Sequence, residues 1–125
     1  MPSKLFNLQR LVKSFRHAFH GLQYAWRAEQ NFRIQVIVAI AVFAVALYFK
    51  LSVARVVVLV MMSVIVLALE LLNTFFEKLV DLLSPRLHYA VGVLKDLLAA
   101  AVLVSSLGAL IVGFLIFWPY LSSTF

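Results

Sequence analysis

The chain has 125 residues, 65% hydrophobic and 13% charged, with eleven Lys and Arg against five acids and a net charge of +6. A water-soluble domain carries about a quarter charged residues, so this is the composition of a membrane protein. Its bases are scattered among apolar residues, which suits an anionic lipid surface and argues against nucleic acid. The lack of cysteine excludes disulfides and thiolate metal sites. The first thirty residues are basic but have neither the apolar core nor the small-residue cleavage site of a secretory signal.

In chain order, the sequence reads as one all-α membrane domain over 1–125. Residues 5–31 predict an amphipathic helix lying in the membrane interface. Leu5, Leu8, Val12, Phe15, Phe19, Leu22 and Trp26 recur every three or four residues, while Lys13, Arg16, His20 and Arg27 lie off that stripe. Residues 32–49 predict the first membrane helix, with Arg33 and Lys50 snorkelling to its two interfaces. Residues 53–83 predict a second, long helix, apolar in its first half after Arg55 and acidic in its second. Ser84-Pro85 ends it, because the residue before proline is pushed out of helical geometry. Residues 97–121 predict the third span, with Ser105, Ser106, Gly108 and Gly113 as small residues for helix contact.

The bases give an orientation. Lys4, Arg10, Lys13, Arg16, Arg27 and Arg33 belong to the N-terminal arm, and Lys78, Arg86 and Lys95 flank the turn between spans two and three. The opposite side has only Lys50 and Arg55. Positive-inside topology therefore puts the N-terminus and the second turn in the cytoplasm.

All five acids fall on or beside that same membrane face: Glu29, Glu70, Glu77, Asp81 and Asp96. Asn73, Glu77 and Asp81 follow Glu70 at offsets of 3, 7 and 11, which aligns them on one helical stripe. At 1.5 Å per residue Glu77 lies about 10 Å along the axis from Glu70, so Glu70 is the deeper of the two. A carboxylate in a span costs about 3 kcal/mol and usually has a partner or a function. One alternative is that Glu70, Asn73 and Glu77 bond helices together. For the set as a whole, carboxylates without thiols near water suit Mg²⁺ bridging phosphate oxygens. Lys95 would neutralise phosphate charge, and a further carboxylate would deprotonate a hydroxyl. The reading is phosphoryl transfer to an acceptor reached from the bilayer.

Other phosphate and metal motifs fail. Gly108 and Gly113 have the spacing of phosphate-loop glycines, but Phe114-Leu115 follow where Lys and Ser or Thr are required. His17, His20 and His88 form no ligand pattern. Trp26, Trp118 and Tyr120 read as interface anchors.

The segment Glu70-Leu71-Leu72-Asn73-Thr74-Phe75-Phe76-Glu77-Lys78-Leu79-Val80-Asp81 resembles the prokaryotic diacylglycerol kinase and undecaprenol kinase family. It matches every fixed position of that family's E-x-x-N-T/S-x-x-E-x-x-V-D motif. His88, Lys95-Asp96 and the small-residue run from Ala99 follow at family spacing, and Ser14-Phe15, Ala18, Gly21-Leu22, Glu29 and Asn31-Phe32-Arg33 match upstream. The resemblance implies an ATP-dependent lipid kinase in the prokaryotic cytoplasmic (inner) membrane. It implies a homotrimer of subunits with one surface helix and three spans, with active sites shared between neighbouring subunits.

By the same resemblance Glu70 is the general base on the lipid hydroxyl, and Glu29 and Glu77 hold the Mg²⁺ that accompanies ATP. Asn73, Lys95 and Asp96 contact the nucleotide, as do Arg10, His17, Arg86 and His88. Trp26 and Ala99 line the lipid site beside Glu70, and Asp81 supports the constellation. Phe75-Phe76, Arg86-Leu87 and Leu94 depart from the family's usual residues, and the bulk of Phe75-Phe76 and Leu94 would narrow the lipid or nucleotide path. The Ser14 start, Asn31-Phe32-Arg33-Ile34 and the Ser84-Pro85 turn lean to undecaprenol over diacylglycerol as substrate. Two non-kinase readings compete. A membrane scaffold gives no reason for Glu29, Lys95 and Asp96 to match as well. A small multidrug-type carrier needs a fourth span.

Overall fold

A computed structural model of the chain describes residues 5–83 and 89–124. Four helices follow in order: α1 (Leu8–Ala28), α2 (Gln30–Tyr48), α3 (Val53–Leu83) and α4 (Tyr89–Thr124). The last three are long and apolar enough to cross a membrane. α3 is the centre of the assembly, packing against α2 on one side and α4 on the other, while α1 leans on α2.

The first helix is shorter than the expected 5–31. It starts at Leu8 because Asn7 caps it, the Asn7 Oδ1 accepting hydrogen bonds from the Gln9 and Arg10 backbone amides at 3.0 and 3.3 Å. It ends at Ala28 because Glu29 is extended, with φ −117° and ψ 110°. Gln30 and Asn31 therefore begin the first span, which reaches back two residues beyond the expected start at 32. The apolar stripe of α1 is uncovered by the other described residues, with Phe15 and Phe19 each 64% exposed. That is the form of a helix whose apolar face is left for the membrane interface.

At the far end, α2 and α3 are joined through Phe49–Ser52. The Lys50 amide donates to the Leu47 carbonyl and the Leu51 amide to the Ala46 carbonyl, both at 3.1 Å, and Lys50 has φ 54°. This is a Schellman cap, in which the left-handed residue lets two carbonyls at the helix end find partners. It turns Leu51 inward against Ala46 and Leu59, with Phe49, Ile116 and Tyr120 packed around them. The Ser52 Oγ then accepts from the Arg55 amide at 3.4 Å and starts α3.

α3 occupies the expected 53–83. Its 31 residues give about 46 Å of helix against about 30 Å of bilayer hydrocarbon, so one end stands clear of the membrane. α4 begins at Tyr89 and ends at Thr124, well outside the expected 97–121. Hydropathy marks only the lipid-immersed part of a helix, whereas backbone hydrogen bonding carries the helix on past Lys95-Asp96 and through Pro119. Of the small residues expected to bring helices together, Gly108 does so: a Cβ added there would stand 3.9 Å from the Met62 Cε. Gly113 has open space beside it and lines a cavity of about 700 Å³ between α2, α3 and α4.

Candidate functional site

Glu70 has the most enclosed large side chain of the described residues, at 1% exposure. One turn on, Thr74 is 5% exposed, and its hydroxyl donates to the Glu70 carbonyl at 3.1 Å. From α2, the Gln35 Nε2 donates to the Glu70 Oε2 at 3.4 Å. Glu70 is thus a carboxylate inside a spanning helix with one side-chain donor aimed at it. Two neighbouring acceptors, the Gln35 Oε1 and the Asn73 Oδ1, are buried without a hydrogen-bond partner among the described residues. Unpaired buried acceptors are rare in folded proteins, because each forfeits the hydrogen bond it would make with water.

Two further carboxylates, Glu29 and Glu77, are half-buried. Glu77 arrives by helical repeat, two turns along α3. Glu29 arrives by a different device, the extended elbow between α1 and α2. The Arg33 guanidinium holds that elbow by reaching back to donate from Nη1 to the carbonyls of Trp26 and Arg27, at 2.8 and 3.0 Å. The last carbonyls of a helix have no partner of their own, and a cation there also meets the negative end of the helix dipole. Arg33 is therefore the cap of α1 as well as a base near the membrane surface. Ala25 and Phe32, 1% and 5% exposed, are buried on the two sides of the elbow. The Lys78 ammonium lies 5.3 Å from the centre of the Tyr24 ring, bringing the end of α1 to α3.

The structure brings Glu29, Glu70, Asn73 and Glu77 to one end of the bundle. The other expected site residues among those described are exposed. Arg10 and His17 are exposed on α1, and Trp26 is 43% exposed near its end. Asp81 is exposed on α3, and Lys95, Asp96 and Ala99 are exposed on α4. Arg86 and His88 lie outside the described residues, as do the Ser84-Pro85 helix stop and Lys4. Among the described residues no three His, Asp or Glu side chains converge as a complete metal site.

Gln35 is the residue the sequence reading passed over. Its signal was present: an uncharged amide in an otherwise apolar span also needs a partner. Which helix supplied that partner was not readable from the span alone.

Residues 16–117 match the family model for prokaryotic diacylglycerol kinase. A diacylglycerol kinase of Synechocystis is 40% identical over 114 residues, covering 90% of this chain, and the matched part spans 65% of that relative's length. An undecaprenol kinase of Bacillus subtilis is 36% identical over 114 residues, covering 91% of this chain and 93% of its own. A diacylglycerol kinase of Escherichia coli K12 is 26% identical over 120 residues, covering 96% and 98%. With the match running from the amphipathic helix through the third span, the chain belongs to the prokaryotic diacylglycerol kinase family, a family of lipid kinases.

Proposed function

We propose that this chain transfers the γ-phosphoryl group of ATP to the primary hydroxyl of a membrane lipid alcohol, with undecaprenol as the first candidate and diacylglycerol as the second. The observation that carries the reading is Glu70: a single carboxylate, 1% exposed, within a spanning helix and hydrogen-bonded to Gln35. The cavity between α2, α3 and α4 is walled mostly by apolar side chains and reaches Gln35, so an alkyl chain lying in it brings its head toward that carboxylate. Glu70 accepts the hydroxyl proton as the alcohol oxygen attacks the γ-phosphorus. The bond to the β-phosphate oxygen breaks, and ADP leaves.

The donor set fits magnesium. Glu29 and Glu77 supply two half-buried carboxylates, and the Asn73 Oδ1 is an oxygen with no partner among the described residues. Magnesium takes one or two carboxylates together with substrate phosphates, so an incomplete protein ligand set is what it requires. When bound, it neutralises charge on the phosphates. Glu29 and Glu77 would hold the metal, and through it the nucleotide's phosphates, beside Glu70, and Asn73 would orient them.

Lys95 and Asp96, exposed on α4, serve a neighbouring copy. The working unit is then a homotrimer with sites shared between subunits, and Arg10, His17, Arg86 and His88 complete the nucleotide contacts. Trp26 and Ala99 border the lipid, and Asp81 supports the acidic end of α3. The bases of α1 and of the α3–α4 region, with only Lys50 and Arg55 opposite, support a cytoplasmic side for this end.

The test is ADP release by purified protein with Mg-ATP, offered undecaprenol and diacylglycerol side by side. Faster turnover on undecaprenol is expected. Preference for diacylglycerol reverses the substrate order, and no turnover on either lipid by folded protein with ample metal refutes the proposal.

A further inference from the structure

α1 touches the rest of the chain over little of its length, and Ala25 is its only buried residue among those described. Such a helix is free to swing about the extended elbow at Glu29 unless something beyond the elbow holds it. Arg33 fixes the elbow to α1 but leaves α1 unfixed relative to α3. Among the described residues Lys78 crosses that gap, its ammonium lying 5.3 Å from the centre of the Tyr24 ring. Tyr24 stands five residues before Glu29, and Lys78 directly follows Glu77. Both partners face outward, Lys78 being exposed and Tyr24 42% exposed, so the contact is that of a cation at an accessible aromatic ring.

We infer that Tyr24 and Lys78 form a latch between the surface helix and α3, and that this latch sets the spacing of Glu29 and Glu77. Both are positioning residues acting through those two carboxylates. The inference rests on the reading of Glu29 and Glu77 as the carboxylates that hold the metal. Sign separates the latch from plain electrostatics. A lysine beside a metal site repels a divalent cation, so loss of its charge alone tightens metal binding. Loss of the latch lets Glu29 move away from Glu77 and weakens it.

The experiment measures Mn²⁺ binding by electron paramagnetic resonance on the full chain in detergent, with a non-hydrolysable ATP analogue. Hydrogen exchange at the amides of residues 24–31 is followed in the metal-free protein. Lys78→Met, which keeps the stem, and Tyr24→Leu are each expected to weaken Mn²⁺ binding about fivefold and to speed exchange. Lys78→Arg keeps a cation over the Tyr24 ring and retains both properties. The double variant Tyr24→Leu/Lys78→Met is no worse than either single one.

Unchanged or tighter Mn²⁺ binding in Lys78→Met, or additive losses in the double variant, overturns the latch. Glu29→Gln and Glu77→Gln serve as controls. If neither weakens Mn²⁺ binding, the metal reading fails. The exchange rates then decide the latch by themselves, and unchanged exchange rejects it.

Discussion

Replacing Glu70 by Gln separates the chemistry of this carboxylate from its place in the fold. Glutamine has nearly the same shape, and its carbonyl oxygen still accepts from the Gln35 Nε2, so the 3.4 Å hydrogen bond is kept. The Thr74 hydroxyl binds the backbone carbonyl at position 70 and is indifferent to the side chain. At 3.4 Å the bond from Gln35 is long, and its net contribution is at the low end, about 0.5 kcal/mol. Stability should therefore change by less than about 1 kcal/mol, even at a position 1% exposed. The rate should change far more. Loss of a general base lowers turnover about 10²–10⁴-fold, equivalent to roughly 3–5 kcal/mol in the transition state. The assay pairs ADP release with a thermal melt and a nucleotide-binding titration. Turnover within a few-fold of wild type, with lipid and metal saturating, would refute the role of Glu70 as base. A collapse of the melt together with activity would show that the carboxylate is chiefly structural.

Other perturbations follow from the same geometry. Gln35→Leu should lower turnover about tenfold by leaving the Glu70 carboxylate unoriented, while ATP affinity, read by titration, stays within twofold. Equal loss of both would place Gln35 in the nucleotide site instead. Arg33→Ala should strip the C-terminal cap from α1, at a cost of about 1 kcal/mol locally, and hydrogen exchange at residues 25–29 should quicken while the amides of α3 stay protected. Lys50→Gly should raise the melting temperature, because glycine relieves about 1 kcal/mol at a φ of 54°. Lys50→Val should lower it, and no difference between the two would show that the left-handed turn is not maintained in the membrane.

Composition and periodicity were enough to read three spanning helices, an interfacial helix and an acidic end of α3. Burial in lipid demands long apolar runs, and a stripe of apolar residues among charges has few other uses. Glu70, Asn73 and Glu77 were legible as one face because helical spacing alone aligns them. The ends of the helices were less legible. The Asn7 cap shortened α1 at one end and the Glu29 elbow at the other, while α4 ran on through polar residues that hydropathy counts as loop.

What only the tertiary structure decided depends on contacts between residues far apart in the chain. Gln35 is an unremarked amide until α2 packs on α3 and sets it against Glu70. Arg33 reads as a membrane-surface base until its guanidinium turns back onto the carbonyls of Trp26 and Arg27. Tyr24 and Lys78 have no relation in sequence and meet only because the elbow folds α1 alongside the bundle. A local pattern reports which face of a helix is apolar or charged. It does not report which neighbour that face will meet, because that choice is made by the packing of whole helices against one another.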